Sequence, residues 1–355
     1  MLKANFQKYI LNFKHPGSTS RGVLHTKETW FITLKDAENW GIGECGLFRG
    51  LSIDDRKDYD EKLAWVCDNI HLGESKLYND LIEFPSIQFG VEMVFRSFNS
   101  EDPFKLFPSE FTNGEKVIPI NGLVWMGDKA FMKQQITEKL KQGFRCIKMK
   151  IGAIDFNSEI DLLQSIRKEF SVSDLELRVD ANGAFSPSEA LEKLNIISEL
   201  KIHSIEQPIK QGQWDEMARL CEETPLSIAL DEELIGIFSS EKKKQMLNTI
   251  NPQYIILKPS LIGGFRGSDS WISLAEKKKI GWWITSALES NIGLNAISQY
   301  TFSKNSKLPQ GLGTGSLFTN NVPSPLEVCN GSLNFNTNNK WDLNILDLKS
   351  NSDSI

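Results

Sequence analysis

Three acidic residues each end a short apolar run in the second half of the chain. They are Asp180 in Leu-Arg-Val-Asp-Ala-Asn, Glu206 in Ser-Ile-Glu-Gln-Pro and Asp231 in Ile-Ala-Leu-Asp-Glu-Glu. Where such runs are neighbouring parallel strands, the three carboxylates meet at one edge and repel one another unless a cation lies between them. Hard oxygen ligands with room for water and substrate oxygens suit Mg²⁺. One such carboxylate alone is equally well explained as a helix N-cap, but three in consecutive units favour a magnesium site.

Two lysines alternate in the earlier run Cys-Ile-Lys-Met-Lys-Ile, and a third lysine ends a later run. Because alternate residues of a strand share a face, Lys148 and Lys150 point to the same side. Two buried ammonium groups are costly unless anions or a function accompany them. Lys258, in Tyr-Ile-Ile-Leu-Lys-Pro, falls four strands further on, across a ring of eight. Lys-x-Lys alone is typical of an exposed edge strand, but with Lys258 and the carboxylates it indicates a lysine on each face of a substrate.

These residue types fit removal of a proton from the carbon next to a substrate carboxylate. Proximity of the ammonium groups to one another and to a dication lowers a lysine pKa and gives a neutral amine that can act as a base. Electrostatic stabilisation of the resulting enediolate is commonly worth about 10²–10³ in rate per group. The four histidines, His15, His25, His71 and His203, lie away from the strand ends, so neither zinc nor a histidine base is expected.

The elements that position these residues are strands that recur about every 26 residues, each followed by a helical segment. The predicted strands are Val117–Gly122, Cys146–Ile151, Leu175–Asp180, Ile202–Glu206, Leu226–Asp231, Tyr254–Lys258, Trp282–Ser286 and Leu308–Gly311. The rhythm is typical of an α/β protein with a modified, TIM-like (β/α) barrel. An open doubly wound sheet has the same rhythm, but it normally carries a glycine-rich nucleotide loop after an early strand, and none follows Val117–Gly122.

The N-terminal part of the chain has a different pattern, which predicts an α+β capping domain. Strands are expected at Met1–Phe13 and Thr29–Lys35, and the Gly/Ser segment His15–Gly22 between them is either a mobile lid or a connector. Apolar residues at three- and four-residue spacing predict helices at Asp55–Asn69 and Pro85–Asn99.

The polar stretch Ser109–Lys116 is typical of a linker between domains. We therefore predict a capping domain at residues 1–112 and a barrel at residues 113–321. The strand-like, irregular C-terminal segment, residues 322–355, is expected to return to the capping domain.

Composition narrows the choice of partners and compartment. The 355 residues carry a net charge of −6 with no basic stripe, so nucleic acid is not an expected partner. There is no apolar run of about 18 residues, so no membrane span is expected. The five cysteines are scattered without a Cys-x-x-Cys pair, which favours reduced thiols in the cytoplasm.

The order and spacing of Lys148-Met149-Lys150, Asp180, Glu206, Asp231 and Lys258 resemble those of the enolase superfamily, muconate-lactonising subgroup, over nearly the whole chain. The segments most similar to its o-succinylbenzoate synthase family, which acts in menaquinone biosynthesis, are Thr19–Gly22, Gly43–Leu47, Ser286–Gly293 and Gly311–Gly315. The resemblance implies a hydro-lyase that uses Mg²⁺, with Mn²⁺ as a substitute. Its reaction is the syn dehydration of 2-succinyl-6-hydroxy-2,4-cyclohexadiene-1-carboxylate to o-succinylbenzoate.

The same resemblance implies roles for the three lysines. Lys150 takes the proton next to the carboxylate and then protonates the departing hydroxyl. Lys258 faces the ring from the other side and stabilises the enediolate by its charge, with a cation–π contact to the ring. Lys148 supports the substrate carboxylate.

Five further residues are candidates for contacts around the substrate. Arg178 and Asn182 share a strand face with Asp180 and are expected to tune the metal shell. Ser286 and the amides near Glu289 are expected to hold the succinyl carboxylate, although Ser286 is equally well explained as a plain strand-end hydroxyl. Arg21 is either a residue that closes over the site or a solvated loop arginine.

Two other functions stay open at this stage. The first is an N-acylamino-acid racemase or another enzyme of the subgroup on the same site. Dipeptide epimerases of the subgroup carry Asp-x-Asp at the eighth strand, where this chain has Gly311-Leu312-Gly313. The second is a non-catalytic barrel scaffold, against which Lys150 and Lys258 argue. In each enzymatic case the partner is a small-molecule carboxylate, and the oligomeric state is open.

Overall fold

The computed structural model describes residues 2–19, 22–125, 127–152 and 154–346. It begins with an antiparallel sheet in which β1 pairs with β2 and β2 with β3. The strands are β1 Lys3–Thr19, β2 Gly22–Lys35 and β3 Trp40–Cys45. Both faces of β2 are buried: Trp30, Ile32 and Leu34 pack among the helices of this domain, while Phe31 joins the main core.

Three helices cover this sheet: α1 Tyr59–Asp68, α2 Glu74–Asp80 and α3 Pro85–Phe98. Helix α3 is almost wholly buried and lies against β3. The approach is close because glycines face each other there: a Cβ atom on Gly43 would lie 2.2 Å from the Gly90 carbonyl oxygen. The two predicted helices are thus confirmed as α1 and α3.

The second sheet is parallel and curled, with seven strands in the order β11-β10-β9-β8-β7-β6-β5. Its strands are β5 Gly122–Val124, β6 Cys146–Lys150, β7 Glu176–Asp180, β8 Ser204–Glu206, β9 Ile228–Leu230, β10 Tyr254–Leu257 and β11 Gly281–Ile284. The helices that follow them are α4 Lys129–Lys141, α5 Phe156–Glu169, α6 Pro187–Ser198, α7 Trp214–Glu223, α8 Ser240–Ile250, α9 Pro259–Ile262, α10 Gly264–Lys277 and α11 Asn291–Ser303. Because every strand is parallel to its neighbour, their carboxyl ends meet on one side.

The predicted strand Leu308–Gly311 is reduced to two bridging residues between the edges of the parallel sheet. Gln310 bridges Ile120 and Gly311 bridges Thr285, both in parallel orientation. The Asn121 amide donates to the Gln310 carbonyl at 2.9 Å, and the Ser286 amide donates to the Gly311 carbonyl at 3.0 Å. The backbone of residues 310–311 is therefore hydrogen-bonded on both sides.

The predicted strand Val117–Gly122 is split, because its two halves pair with different partners. Ile118–Pro119, β4, pairs with β13 Ser332–Phe335, which forms a hairpin with β12 Leu326–Cys329. The last residue of the predicted strand, Gly122, begins β5, which pairs with β6, and Ile120 only bridges Gln310. The C-terminal segment thus contacts the start of the parallel sheet.

The same C-terminal segment also reaches the capping sheet. The Tyr9 hydroxyl donates to the Asn320 carbonyl at 2.8 Å, and the Gln7 side-chain amide donates to the Leu346 carbonyl at 2.7 Å. The first of these contacts lies just before residue 322, and the second lies within residues 322–355. The return of that segment to the capping domain and the domain boundaries at residues 112 and 321 stay predictions.

The segment His15–Gly22 is not the irregular loop expected from its glycine and serine content. Strand β1 runs to Thr19, which pairs with Gly22 of β2, after a register shift between Asn12 and Gly17. The described part of the segment, residues 15–19 and 22, therefore belongs to two paired strands. Among the described residues, no helix is both long and apolar enough to cross a membrane.

Candidate active site

The three lysines and three carboxylates predicted from the sequence come together at the carboxyl ends of β6 to β10. Cross-strand register places Lys150 beside Asp180, and Asp180 beside Glu206. The Lys150 Nζ donates to Asp180 Oδ2 at 2.5 Å. The Lys148 Nζ donates to Glu206 Oε2 at 2.7 Å and to Asp180 Oδ2 at 3.1 Å.

The third lysine closes the cluster from the far side of the sheet. The Lys258 Nζ pairs with Asp231 Oδ2. Asp180, Glu206 and Asp231 are all at most 2% exposed, so the carboxylate of each ion pair is buried, whereas Lys150 and Lys258 are partly exposed toward the cavity. Asp231 makes no side-chain capping bond to the short helix that follows it, which argues against the N-cap explanation for this carboxylate.

Asn182 extends the cluster beyond the lysines. Its Oδ1 accepts from Lys150 at 2.7 Å, and its Nδ2 donates to Glu232 at 3.0 Å. Its φ of 46° lies in the left-handed region, which asparagine adopts more readily than most residues. The turn is fixed by the Asn182 amide, which donates to Asp180 Oδ1 at 3.0 Å. Asn182 thus links Lys150 to a fourth buried carboxylate, Glu232.

A cavity of about 690 Å³ opens onto Lys148, Lys150, Asn182 and Lys258. Part of its wall is apolar and comes from the capping domain, from β5 with the residue after it, and from the loop after β11. The residues of this apolar part are Leu24, Phe48, Leu51, Leu123, Trp125 and Leu288. The other walls carry hydroxyl, amide and charged groups. The cavity therefore combines a charged inner end with a partly apolar approach, as substrate sites commonly do.

The ion pairs set the protonation of these groups. Burial lowers the pKa of Lys148, but the charges of Glu206 and Asp180 outweigh burial and raise it above its ordinary value. Burial also lowers the pKa of Lys258, and Asp231 and Glu206 raise it overall. Among the protein's own groups, the carboxylates therefore outweigh the neighbouring ammonium groups. The lowered lysine pKa expected beside a dication stays a prediction.

The carboxylates differ from one another in the same way. Burial raises the pKa of Asp180, but the charges of Lys150 and Lys148 lower it overall. For Glu206, burial and the charge of Asp180 raise the pKa well above its ordinary value, although Lys148 acts against them. Glu206 is thus the carboxylate whose charge is least compensated by lysine.

The donor set suits a hard cation. Glu206 Oε1 is buried and has no hydrogen-bond partner among the described residues, and Asp180 and Asp231 supply further carboxylate oxygens. Oxygen-only sets of this kind fit Mg²⁺. In the described ranges, no three His, Cys, Asp or Glu residues are already grouped as a metal site. The lysine ammonium groups pair with the carboxylates that would be the ligands.

Comparison with known proteins identifies the family. The sequence profile of the family described as enolase C-terminal domain-like matches residues 132–339. The chain is 47% identical to the o-succinylbenzoate synthase of Desulfotalea psychrophila, covering 94% of this chain and 98% of that protein. The chain belongs to the enolase superfamily. The family predicted from the lysine and carboxylate spacing is thus confirmed.

Solved structures of the superfamily agree with this assignment. The crystal structure of MenC from Desulfotalea psychrophila LSv54 matches with a TM-score of 0.84 and 42% identity, covering 94% of this chain and 99% of that one. The muconate lactonizing enzyme from Pseudomonas fluorescens matches with a TM-score of 0.80 over 98% and 97% of the two chains. At 20% identity, that second likeness concerns the fold alone.

Ser286 and Glu289, both predicted to lie near the succinyl carboxylate, differ in whether they line the cavity. Ser286 lines the cavity, where its hydroxyl shares a 2.5 Å hydrogen bond with the Thr314 hydroxyl. Glu289 does not line the cavity: it is fully buried, and its carboxylate accepts from the Ala287 amide. The Ser290 amide is bound by Glu44. The Ala287 and Ser290 amides are therefore already satisfied within the protein. That Ser286 and the amides near Glu289 hold the succinyl carboxylate stays a prediction.

Arg178 is placed differently from the prediction as well. It shares a strand face with Asp180, but its guanidinium donates to Glu176 and to the Pro309 carbonyl and lies 4.2 Å from the centre of the Trp283 ring. It is 1% exposed and does not line the cavity. Residues two apart on a strand face the same side but lie in successive layers of side chains. Arg178 therefore packs one layer below Asp180 and does not tune the metal shell.

Other residues of the site were not predicted from the sequence. His15 lines the cavity from β1, and no signal in the sequence indicated that this strand reaches the site. Thr314 and Glu232 also join the site, and the Asp-Glu-Glu run was the one local signal for Glu232. Arg21 lies outside the described residues, so its closing role stays a prediction.

Proposed function

We propose that this protein catalyses the Mg²⁺-dependent syn dehydration of 2-succinyl-6-hydroxy-2,4-cyclohexadiene-1-carboxylate to o-succinylbenzoate. The observation that carries the proposal is the placement of Lys150 on β6 and Lys258 after β10, each facing the cavity beside buried carboxylates. The 47% identity to an o-succinylbenzoate synthase supports this choice of substrate.

Asp180, Glu206 and Asp231 would hold the metal. When bound, Mg²⁺ supplies positive charge next to the substrate carboxylate, which favours negative charge there in the transition state. Lys148 lies between Glu206 and Asp180 and adds a second positive charge at the same end of the cavity.

Lys150 moves the proton in this mechanism. Its neutral amine takes the proton from C1, and the electron pair of the broken C–H bond moves toward the carboxylate. The pair then forms the ring double bond as the C6–O bond breaks, and Lys150 returns its proton to the departing hydroxyl, which leaves as water. Both transfers occur on one face of the ring, so one residue suffices for a syn elimination.

Lys258 stays protonated and acts by charge on the other face. Its pairing with Asp231 fixes the ammonium group in place. Leu24, Phe48 and Leu51 of the capping domain cover the approach and would exclude water from the ring. Ser286 and Thr314 offer hydroxyls for the distant succinyl carboxylate.

We infer further that residues 310–311 close the parallel sheet into a (β/α) barrel, because both of its edge strands bond to them. Residues 1–112 and 322–355 would form the cap and barrel residues 113–321 the catalytic domain. The free cysteines support the proposal of a cytoplasmic protein with a small-molecule carboxylate as its partner.

The test is to incubate the purified protein with the cyclohexadiene carboxylate and Mg²⁺ and to measure formation of the aromatic product. The same assay after EDTA treatment, and after Mg²⁺ is restored, separates a metal-dependent reaction from a metal-independent one. Absence of product with intact, Mg²⁺-supplied protein would refute the proposed substrate.

A second candidate, racemisation of an N-succinylamino acid, is favoured by the same two lysines, since one on each face allows proton exchange on both sides. Assays with both substrate types distinguish the candidates. A non-catalytic scaffold would turn over neither, but it would have no need for Lys150 and Lys258 in the cavity.

A further inference from the structure

A second group of buried charges lies where the capping sheet meets the loop after β11. Glu44 on β3 and Glu289 in that loop are both 0% exposed, and Lys27 on β2 is 6% exposed. A Cβ atom on Gly293 would lie 2.8 Å from Glu44 Oε2 and 2.8 Å from Glu289 Cβ, so both acidic side chains pack against the same glycine. We call Lys27, Glu44 and Glu289 the buried triad; the mechanism above uses none of them.

Glu44 joins the capping sheet to the start of helix α11. Its carboxylate accepts from the Ser290 amide at 2.8 Å, from the Gly293 amide at 2.7 Å and from the Ser290 hydroxyl. Thr29 of the neighbouring strand donates to it as well, at 2.8 Å. The first amides of a helix lack intrahelical partners and favour negative charge, so Glu44 is a cap supplied by another domain.

Glu289 joins the same loop to the segment that carries Lys258. One of its oxygens accepts from the Ala287 amide at 2.7 Å, and the other accepts from the Ser260 hydroxyl. Ser260 is two residues beyond Lys258 in the chain. The Glu289 carboxylate therefore fixes two segments that both reach the cavity.

Lys27 is the positive member of the triad, and it shares a buried strand face with Thr29, whose hydroxyl donates to Glu44. Its Nζ is buried and has no hydrogen-bond partner among the described residues. Burial lowers its pKa, and the charges of Glu289 and Glu44 act against this. Two carboxylates buried without a counter-charge would be strongly unfavourable, so Lys27 reduces the cost of placing both at this contact.

An independent observation shows that the loop needs such support. Leu288 has a φ of 65°, a conformation that bulky residues rarely adopt. Strain of this kind persists where the surroundings over-determine the backbone. Leu288 packs with Leu11 and Phe318 and lines the cavity next to Ser286. Its two neighbours, Ala287 and Glu289, are tied together by the Glu289 carboxylate.

We propose that the buried triad is a positioning device, which holds the strained loop Ser286–Ser290 so that Ser286, Ala287 and Leu288 form one wall of the substrate cavity. The identity of the substrate, though not the support of the loop, rests on the proposed function. Lys27, Glu44 and Glu289 are positioning residues and do not touch the reacting atoms.

The test replaces Lys27 with methionine, which keeps the length of the side chain and removes its charge. Lys35→Met, at an exposed position on the same strand, is the matched control. In Lys27→Met, amide hydrogen exchange of residues 286–293 should quicken about tenfold without substrate, because the loop opens more readily. KM should rise about tenfold with kcat changed less than about threefold, since the wall is displaced and the lysines are not. Lys27→Arg, which keeps the charge, should have an exchange rate and a KM close to those of the wild type.

A charge-balanced variant covers the case in which Lys27→Met does not fold. Lys27→Met/Glu289→Gln restores the net charge of the triad, and glutamine keeps both bonds because the Ser260 hydroxyl can accept as well as donate. We expect wild-type folding and slower loop exchange than in the single variant. Exchange and KM in Lys27→Met that match Lys35→Met, or a double variant with no recovery, would overturn the proposal. Hydrogen exchange measured without substrate tests the support of the loop independently of the reaction. If the protein fails to turn over the cyclohexadiene carboxylate, only the proposed function is refuted.

Discussion

Lysines are buried in two regions of this molecule, and the two regions treat the same side chain in opposite ways. At the cavity, Lys148 and Lys258 lie against carboxylates, which raise the pKa of both. Between helices α8 and α10, Lys243 is 3% exposed and donates to the Gly267 carbonyl at 3.2 Å, over the Trp271 ring. Burial there lowers the pKa of Lys243 to about 8.

The difference shows that burial alone does not decide the charge of a lysine. Strand register sets Lys150 beside Asp180 and so brings carboxylates to the cavity lysines. Lys243 comes from a helix and faces a carbonyl and an indole ring, neither of which carries a full negative charge. Removing lysines should therefore affect chemistry in the first region and stability in the second.

The largest expected effect is that of Lys150→Ala. Because Lys150 performs both proton transfers in the proposed mechanism, kcat should fall by at least about 10²–10⁴-fold. Lys244→Ala, at an exposed position of α8, should keep the wild-type rate. Dehydration by Lys150→Ala at close to the wild-type rate would mean that another group is the base.

The next effect concerns the carboxylates that distinguish the cavity from the Lys243 region. Mg²⁺ should raise the melting temperature of the wild type, because binding at a concentration 100 times Kd adds about 2.7 kcal/mol to the free energy of unfolding. Glu206→Gln should lose this shift, whereas Glu199→Gln on the surface should keep it. EDTA should abolish turnover reversibly, and full activity after rigorous metal removal would contradict the metal site.

A smaller and more selective effect is expected for Lys258→Arg. Arginine keeps the positive charge but changes its shape, so part of the dehydration activity should remain. Racemisation needs proton exchange on both faces, and arginine is too weak an acid for this, so any racemase activity should be lost more completely. Turnover of both substrate types, with deuterium uptake from D₂O into an N-acylamino acid, measures the difference. Equal damage to both activities would show that Lys258 does more than supply charge.

The smallest effect is expected at Lys243, where the pKa is lowered in the folded state. The unfolded chain then binds more protons between about pH 8 and the ordinary lysine pKa, so wild-type stability should rise with pH across this range. Lys243→Met should remove this slope and be more stable than the wild type at pH 7, with unchanged kcat. Melting temperatures from pH 7 to pH 10, with exposed Lys242→Met as control, test the sign.

The sequence allowed the lysines and carboxylates to be found because their positions depend on strand ends and on alternation within a strand. Both are local properties, and parallel pairing converts them into proximity without further information. Arg178 shows the limit of this reasoning. The face of its side chain was correctly predicted, but its depth depends on Glu176, Trp283 and the Pro309 carbonyl, the last of which is 131 residues away in the chain.

The buried triad could not be found in this way. The bonds that Ser290 donates to Glu44 join residues 246 positions apart, and nothing in the local pattern of β3 indicates which residues its buried carboxylate will contact. The same holds for the strand pairing of Gly17, Thr19 and Gly22, since the glycine and serine content of this segment is typical of loops. Cross-strand pairing with β2 outweighs those local preferences.

The contact between Tyr9 and Asn320 has a consequence for synthesis of the protein on the ribosome. The first strand leaves the ribosome long before its partner, because 311 residues separate the two. At about 5–20 residues per second, β1 waits for roughly 15–60 s before the chain segment that it contacts exists. During that interval the face of β1 that carries Leu11, fully buried in the finished protein beside Phe318, has no such cover. The nascent chain is therefore most exposed to misassociation at its oldest end, and a chaperone that binds apolar strands early would shorten that risk.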